Sequence, residues 1–165
     1  MADHATILRP VQFLAIIGIA LYLVPTGAHV AELASKMALA PADYMTAQQI
    51  YAGWSWFAIV IFAALVITAA HTWVVRADRM AFLLSLTAFI ALAGTQAVFW
   101  TTTFPVNAAT QSWTVMPEAF EAARRQWEYS HAVSAALTFL ALVTIVWSAL
   151  VSNPQSYEIA PIRTE

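Results

Sequence analysis

The sequence has no cysteine and few charged residues. Only 10% of its 165 residues are Asp, Glu, Lys or Arg, whereas 61% are hydrophobic. Without cysteine the chain forms no disulfide, no thiolate metal site and no covalent bond to a c-type haem. A soluble domain carries about 25% charged residues, so this chain lacks the charge to cover a water-facing surface. The composition therefore predicts a membrane protein in a lipid bilayer, and the net charge of −2 gives no indication of nucleic-acid binding.

Four long hydrophobic windows follow one another along the chain, each long enough for the roughly 20 apolar residues of a membrane-spanning helix. They cover about residues 11–36, 46–75, 80–101 and 118–151. We predict an all-α fold, an integral membrane four-helix bundle that is antiparallel and up-down-up-down, forming a single domain over residues 1–152. Residues 153–165 are predicted to be a polar C-terminal tail.

The connections between these windows differ in length. Residues 76–79 form a tight turn, which makes the second and third spans antiparallel neighbours. Residues 101–116 form a long connection with no strong helical period, and its aromatic content predicts an ordered loop over one end of the bundle. The distribution of lysine and arginine favours, by one residue, a cytoplasmic location for both termini.

Polar side chains concentrate at one end of the predicted bundle. His29 and Glu32 lie near the end of the first span, and Glu128 and His131 near the start of the last. A spacing of three residues puts each pair on one helix face. Because these two spans run antiparallel, the two histidines should form one layer and the two glutamates another. Chain connectivity brings further polar or aromatic residues to this end, namely Gln48, Tyr51, Gln96, Asn107 and Trp127. His71, at the other end, is predicted to be an ordinary flanking residue.

Several chemistries fit this polar layer. Glu-x-x-His on facing helices is the arrangement of carboxylate-bridged di-metal centres. A single iron, copper or zinc ion would need only His29, Glu32, Glu128 and His131 as ligands, and two histidines could also ligate a haem axially. Without a metal, His131 beside Glu128 is a candidate general base acting on a phenol or an acidic carbon next to a ketone. A structural polar clamp that binds nothing is the remaining alternative.

Two motifs resemble those of the anthrone-oxygenase-like family, which are small membrane proteins with four spans. They are Thr-Phe-Pro-Val-Asn at residues 103–107 and, about twenty residues later, Trp-Glu-Tyr-Ser-His at residues 127–131. The stretches 27–33 and 44–54 resemble a bacterial branch, to which the His29-x-x-Glu32 pair belongs. The resemblance implies oxidation of anthrones to anthraquinones without an established cofactor, and a place in a bacterial cytoplasmic membrane. It maps the family's asparagine, tryptophan and histidine positions onto Asn107, Trp127 and His131.

Two functions from different classes remain open. The first is a membrane oxidoreductase or oxygenase-like enzyme that acts on an aromatic or quinone-like small molecule, with His131 and Glu128 as catalytic residues. Its pocket would be lined by Trp127, Asn107, Gln48, Tyr51 and Gln96. The alternative is a non-enzymatic accessory subunit, or a cofactor- or lipid-binding component of a larger membrane complex or homo-oligomer. A transporter has less support, because the end that holds His71 offers no polar path.

Overall fold

The part of the chain that the structure describes, residues 4–152 of a computed structural model, contains no strand. Its helices are α1 (His4–Met37), α2 (Pro41–Gln48), α3 (Phe57–Val74), α4 (Arg79–Val98), α5 (Phe104–Ala109) and α6 (Phe120–Val151). Four helical segments are long and apolar enough to cross a membrane. The predicted all-α, multi-pass membrane bundle is therefore confirmed, whereas the predicted tail at 153–165 lies outside the described residues.

The four spanning helices form a square in cross-section. Helix α1 packs against α3 and α6, and α4 packs against the same two helices. Near the start of α1, Leu8 joins Val75 and Ala81 in a buried cluster that also contacts Val151 at the end of α6. The first and last helices therefore run antiparallel, as the up-down-up-down prediction requires, and α2, α5 and the connection to α6 gather at the opposite end.

Alanines and a few larger apolar side chains fill the centre of the bundle, and other large apolar residues face outward. The central cluster consists of Ala15, Ile19, Tyr22, Ala64, Ala88, Ala91, Leu92, Ala141 and Ile145. Small side chains allow helix backbones to approach closely, which is how helices associate in lipid, where burial of apolar surface gives no advantage. Exposed apolar residues such as Phe13, Val66 and Leu150 suit contact with acyl chains. The centre is thus an apolar layer that separates the two ends of the bundle.

Gly18 marks the close approach of α1 and α3, and its replacement tests this packing. A Cβ atom at Gly18 would lie 3.4 Å from the Cα of Ala64. We expect Gly18→Leu to lower the free energy of unfolding in detergent micelles by about 1–3 kcal/mol, because the larger side chain must displace α3. Gly27→Ala is the control in the same helix, since a Cβ there meets nothing within 4 Å. Equal stabilities of the two variants would contradict the close approach.

Helix α1 starts at His4, before the predicted residue 11, and two further boundaries differ from the sequence prediction for identifiable reasons. The second span starts later than residue 46, because Gly53 has φ 89° and interrupts the helical path before α3. The third span continues past residue 101 as a π-helix, Phe99–Thr103, and then as α5. Pro105 has no amide hydrogen to donate back along the helix, and such sites favour a widened turn. The non-helical connection before α6 is therefore shorter than the predicted 101–116.

Candidate functional site

The two predicted histidines lie against each other where α1 meets α6. The ring centroids of His29 and His131 are 4.0 Å apart, with 34° between the planes. The indole of Trp127 contacts both rings, with centroid distances of 4.9 and 4.2 Å, and Tyr51 lies 4.5 Å from His29 on another side. The predicted histidine layer is therefore confirmed. Because two imidazolium rings would repel at this distance, the stack requires at least one of them to be uncharged.

The two glutamates do not meet directly, because Lys36 and Tyr51 lie between them. The carboxylate of Glu128 is fully buried, and its Oε1 lies 2.7 Å from Lys36 Nζ. Lys36 Nζ also donates to the Tyr51 hydroxyl at 3.2 Å. That hydroxyl in turn donates to Glu32, which is exposed. One chain of hydrogen bonds therefore joins an exposed carboxylate to a buried one.

Glu128 is also the common acceptor for two side chains of α2. The Tyr44 hydroxyl donates to Oε1 at 2.8 Å, and the Gln48 amide approaches the same atom at 3.4 Å. Burial raises the pKa of Tyr44, and the charge of Glu128 raises it further. Burial likewise raises the pKa of Tyr51, helped by its hydrogen bond to Glu32. Both phenols therefore remain protonated donors at neutral pH.

Three aromatic rings surround the ammonium group of Lys36. Its Nζ lies 4.6 Å from the ring centroid of Tyr51, 4.7 Å from that of Trp127 and 5.6 Å from that of Tyr44. Cation–π attraction of this kind is worth about 2 kcal/mol or more when the cation is removed from water. Together with Glu128, the rings stabilise a charge that would otherwise be costly to bury.

A few buried polar atoms in this region have no hydrogen-bond partner among the described residues. They are Oε2 of Glu128, Oε1 of Gln48, Nδ1 of His29, Nε1 of Trp113 and Nε of Arg124. Buried polar groups are paired in most structures, and exceptions point to a water, an ion or a ligand. The bonds to Glu128 therefore all go to Oε1. Its Oε2 and the other atoms named here can still form hydrogen bonds.

The connection between α5 and α6 covers this cluster. Gln111, Ser112 and Trp113 have φ values of 47°, 57° and 65°, a left-handed conformation that costs about 1–3 kcal/mol for each non-glycine residue. The amide of Trp113 donates to Thr110 Oγ1 at 3.0 Å, and Gln49 donates to the Trp113 carbonyl at 2.9 Å. The Trp113 side chain is buried against Tyr44, Phe120 and Trp127. The ordered cap expected from the aromatic content is therefore present.

The structure brings most of the predicted pocket residues to this end. Asn107 accepts a hydrogen bond from Trp127 Nε1 at 2.7 Å, while Gln48 and Tyr51 bond Glu128 and Lys36 as described above. Gln96 instead bonds Thr95, which pairs with Tyr22 of α1, and it makes no hydrogen bond to the histidine–glutamate cluster among the described residues.

Sequence reasoning missed two residues of the site, Lys36 and Tyr44. Lys36 is the only lysine of the chain and follows His29 by seven residues, which places both on one face of α1. That spacing could have revealed it. Tyr44 lies on the short helix α2, and no pattern in the sequence shows how that helix folds back over Glu128.

The side chains do not fit the predicted metal or haem. Among residues 4–152, no group of three or more His, Asp or Glu side chains could hold a metal ion. The Lys36 ammonium instead pairs with Oε1 of Glu128 at 2.7 Å. Two imidazoles on one tetrahedral metal keep their ring centroids about 5 Å apart, given metal–nitrogen distances of about 2.0–2.1 Å, and a bis-histidine haem separates its two ligand rings by a porphyrin. The set His29, Glu32, Glu128 and His131 therefore receives no support as ligands.

An open groove lies on the outer surface between the end of α4 and the start of α6, and no residue of the histidine–glutamate cluster lines it. Its volume is about 460 Å³, and it is lined by Val98, Thr102, Arg125, Gln126, Tyr129, Ser130 and Val133. Ser130 and Thr103 share a buried hydrogen bond of 2.7 Å, which fixes one wall. The groove is mostly apolar with a cation, Arg125, on its edge.

His71, at the other end of the bundle, is not the flanking residue that the sequence suggested. It is fully buried, its Nδ1 lies 2.9 Å from Ser85 Oγ, and Thr72 lies 2.8 Å from the same oxygen. The prediction is wrong because α3 and α4 enclose the ring between them. The apolar layer described above separates this polar group from His29 and His131, which disfavours a continuous polar path through the bundle.

The fold and this site define an integral, multi-pass membrane protein whose helices enclose a histidine stack and a buried lysine–glutamate ion pair at one end. Comparison with models of known protein families, with curated proteins and with solved structures finds no match. The function of the chain is therefore inferred from the arrangement of its side chains and from the sequence motifs at residues 103–107 and 127–131.

Proposed function

We propose that this protein is a membrane oxidoreductase of the oxygenase type that acts on a hydroxylated, flat aromatic molecule such as an anthrone. The observation that carries the proposal is the contact between His131 and Trp127, 4.2 Å between centroids, one helical turn from the buried Glu128. Asn107 holds the Trp127 indole in place. Asn107, Trp127 and His131, the positions that the motif resemblance maps onto this chain, are thus joined through contacts of Trp127.

The chemistry needs a base and an oxidant. An anthrone carries a methylene group that is acidified by two aromatic rings and a ketone, and His131 is the candidate base that removes one of its protons. The resulting anion passes electrons to dioxygen. Overall, one anthrone and one dioxygen give one anthraquinone and one water, in which the two methylene hydrogens leave with one oxygen atom. The nearby Lys36 ammonium favours the negative charge that develops on the substrate.

The groove between α4 and α6 is a candidate surface on which a substrate from the bilayer would first bind. Its walls are largely apolar, and it lies on the face of α6 that carries Gln126, Ser130 and Val133 rather than His131. A flat aromatic molecule dissolved in lipid could bind there without first crossing into water. Arg125 on its edge offers a cationic partner to phenolic oxygens.

Substrate turnover in a defined membrane tests this proposal. The purified protein in lipid nanodiscs is supplied with a hydroxylated anthrone, and anthraquinone absorbance and dioxygen uptake are followed together. We expect product formation above the rate in empty nanodiscs, with equal amounts of dioxygen consumed and anthraquinone formed. Prior treatment with a chelator should leave the rate unchanged, because the side chains do not fit a metal. A rate equal to that of empty nanodiscs would exclude this function.

One observation favours the non-enzymatic alternative, an accessory subunit of a larger membrane complex. Each charged group of the site has a partner within the chain, since Lys36 pairs with Glu128 and Tyr51 with Glu32. A set of polar residues that only holds the helices together would show the same pairing and would need no substrate. Purification from the native membrane at native expression would show a stoichiometric partner for such a subunit, together with no anthrone oxidation.

A further inference from the structure

The hydrogen bonds around Lys36 form a path with a direction. Lys36 donates to Tyr51, and Tyr51 donates to Glu32. Glu128 at the inner end is fully buried, whereas Glu32 at the outer end is exposed. The two intermediate groups, the Lys36 amine and the Tyr51 hydroxyl, can each give and receive a proton in the course of one transfer. The path therefore starts at a carboxylate enclosed by the protein and ends at one exposed on the bundle surface near the end of α1.

We propose that Lys36 and Tyr51 relay protons between Glu128 and Glu32 and so connect the buried site with the aqueous face of the membrane. Where the protein oxidises an aromatic substrate, the relay removes the proton that the substrate gives up, and that use rests on the proposed function. The relay itself exists without substrate. It assigns a role to Lys36, a buried amine that the oxidation mechanism otherwise uses only for its charge.

The transfer balances without any further reactant. When Glu128 carries a proton, the Lys36 ammonium gives one proton to the oxygen of Tyr51 while the hydroxyl proton of Tyr51 passes to Glu32. The Lys36 amine then takes the proton of Glu128. At the end Glu128 has lost one proton, Glu32 has gained one, and Lys36 and Tyr51 are as they began. No electron leaves any group.

Among the described residues, the bond from Glu128 to Lys36 is the one that leads on to an exposed group. Tyr44 and Gln48 also bond Glu128, but both are buried and their bonds end there. Arg124 lies over the Tyr44 ring and is held by Glu121 and the Leu39 carbonyl, so it does not bond Glu128. Tyr51 is half-buried and keeps its proton between transfers, because burial and Glu32 raise its pKa.

The single lysine of the chain makes the relay directly measurable. Lysine labelled with ¹⁵N at Nζ gives one side-chain signal, that of Lys36, and NMR of the full-length protein in nanodiscs yields the exchange rate of its ammonium protons with water. We expect Tyr51→Phe to slow this exchange by about tenfold or more, because the phenyl ring carries no proton and exchange then waits for local opening. Tyr129→Phe, at an exposed tyrosine outside the path, should leave the rate unchanged.

Glu32→Gln tests the outer end with an exposed residue, so that the fold is retained. The amide still accepts a hydrogen bond from Tyr51 but cannot take up its proton, and exchange should again slow severalfold. Exchange at the wild-type rate or faster in either variant would overturn the relay, since the ammonium would then reach water another way. No substrate is present, so slowed exchange in a protein that fails to oxidise anthrones would reject the proposed function alone.

Discussion

Glu128→Leu should lower the free energy of unfolding by about 3–5 kcal/mol, the cost of removing one partner of a buried ion pair. The substitution leaves the Lys36 ammonium, the Tyr44 hydroxyl and the Gln48 amide without their common acceptor. Leucine fills a similar volume, so loss of charge pairing rather than a cavity is what changes. Reversible unfolding in mixed micelles, followed by tryptophan fluorescence, measures the difference.

Two comparisons separate the ion pair from general damage to the fold. Glu121→Leu removes a carboxylate that is 53% exposed and pairs with Arg124, and it should cost less than about 1 kcal/mol. Lys36→Met combined with Glu128→Leu removes both charges and should be more stable than Glu128→Leu alone, because no unpaired charge is left inside. If Glu128→Leu and Glu121→Leu cost the same, the ion pair contributes nothing to stability.

His131→Gln should lower the rate of anthrone oxidation by about 10²- to 10⁴-fold, the usual contribution of a general base. Glutamine retains a polar group of similar reach but has no basic nitrogen at neutral pH. Because the base acts only in the proton-transfer step, kcat should fall while KM changes little. The measurement is anthraquinone formation by the variant in nanodiscs under the conditions used for the unchanged protein.

The control for this loss is His71→Gln. His71 is also a buried histidine, but it bonds Ser85 at the other end of the bundle, and glutamine can keep that hydrogen bond. Its rate should stay within a factor of about two to three of the unchanged protein, since no hydrogen bond among residues 4–152 connects it to the site. Equal losses in the two variants would mean that both act through stability, and His131 would no longer stand as the base.

The residue pattern alone sufficed for the membrane class and for the position of the polar end. Hydrophobic length gives the four spans, because a bilayer of fixed thickness requires about 20 apolar residues in each. Antiparallel connections and a spacing of three residues then bring His29 to His131, and Trp127 with them. These inferences succeed because they use only the helical period and the order of the spans along the chain.

Only the tertiary structure decided what the polar end contains. A shift of one residue turns a helix position by about 100°, so the pattern indicates a face but not whether Glu32 points outward while Lys36 points in. The fold of α2 placed Tyr44 over Glu128, and the enclosure of α3 and α4 buried His71. The carboxylate oxygen of Glu128 that pairs with the Lys36 ammonium is not free to bind a metal. Whether such a pair forms depends on side-chain positions to within about an ångström. The sequence therefore predicts where a site lies, and the packing of the helices determines that it is a hydrogen-bonded ion pair beneath two stacked imidazoles.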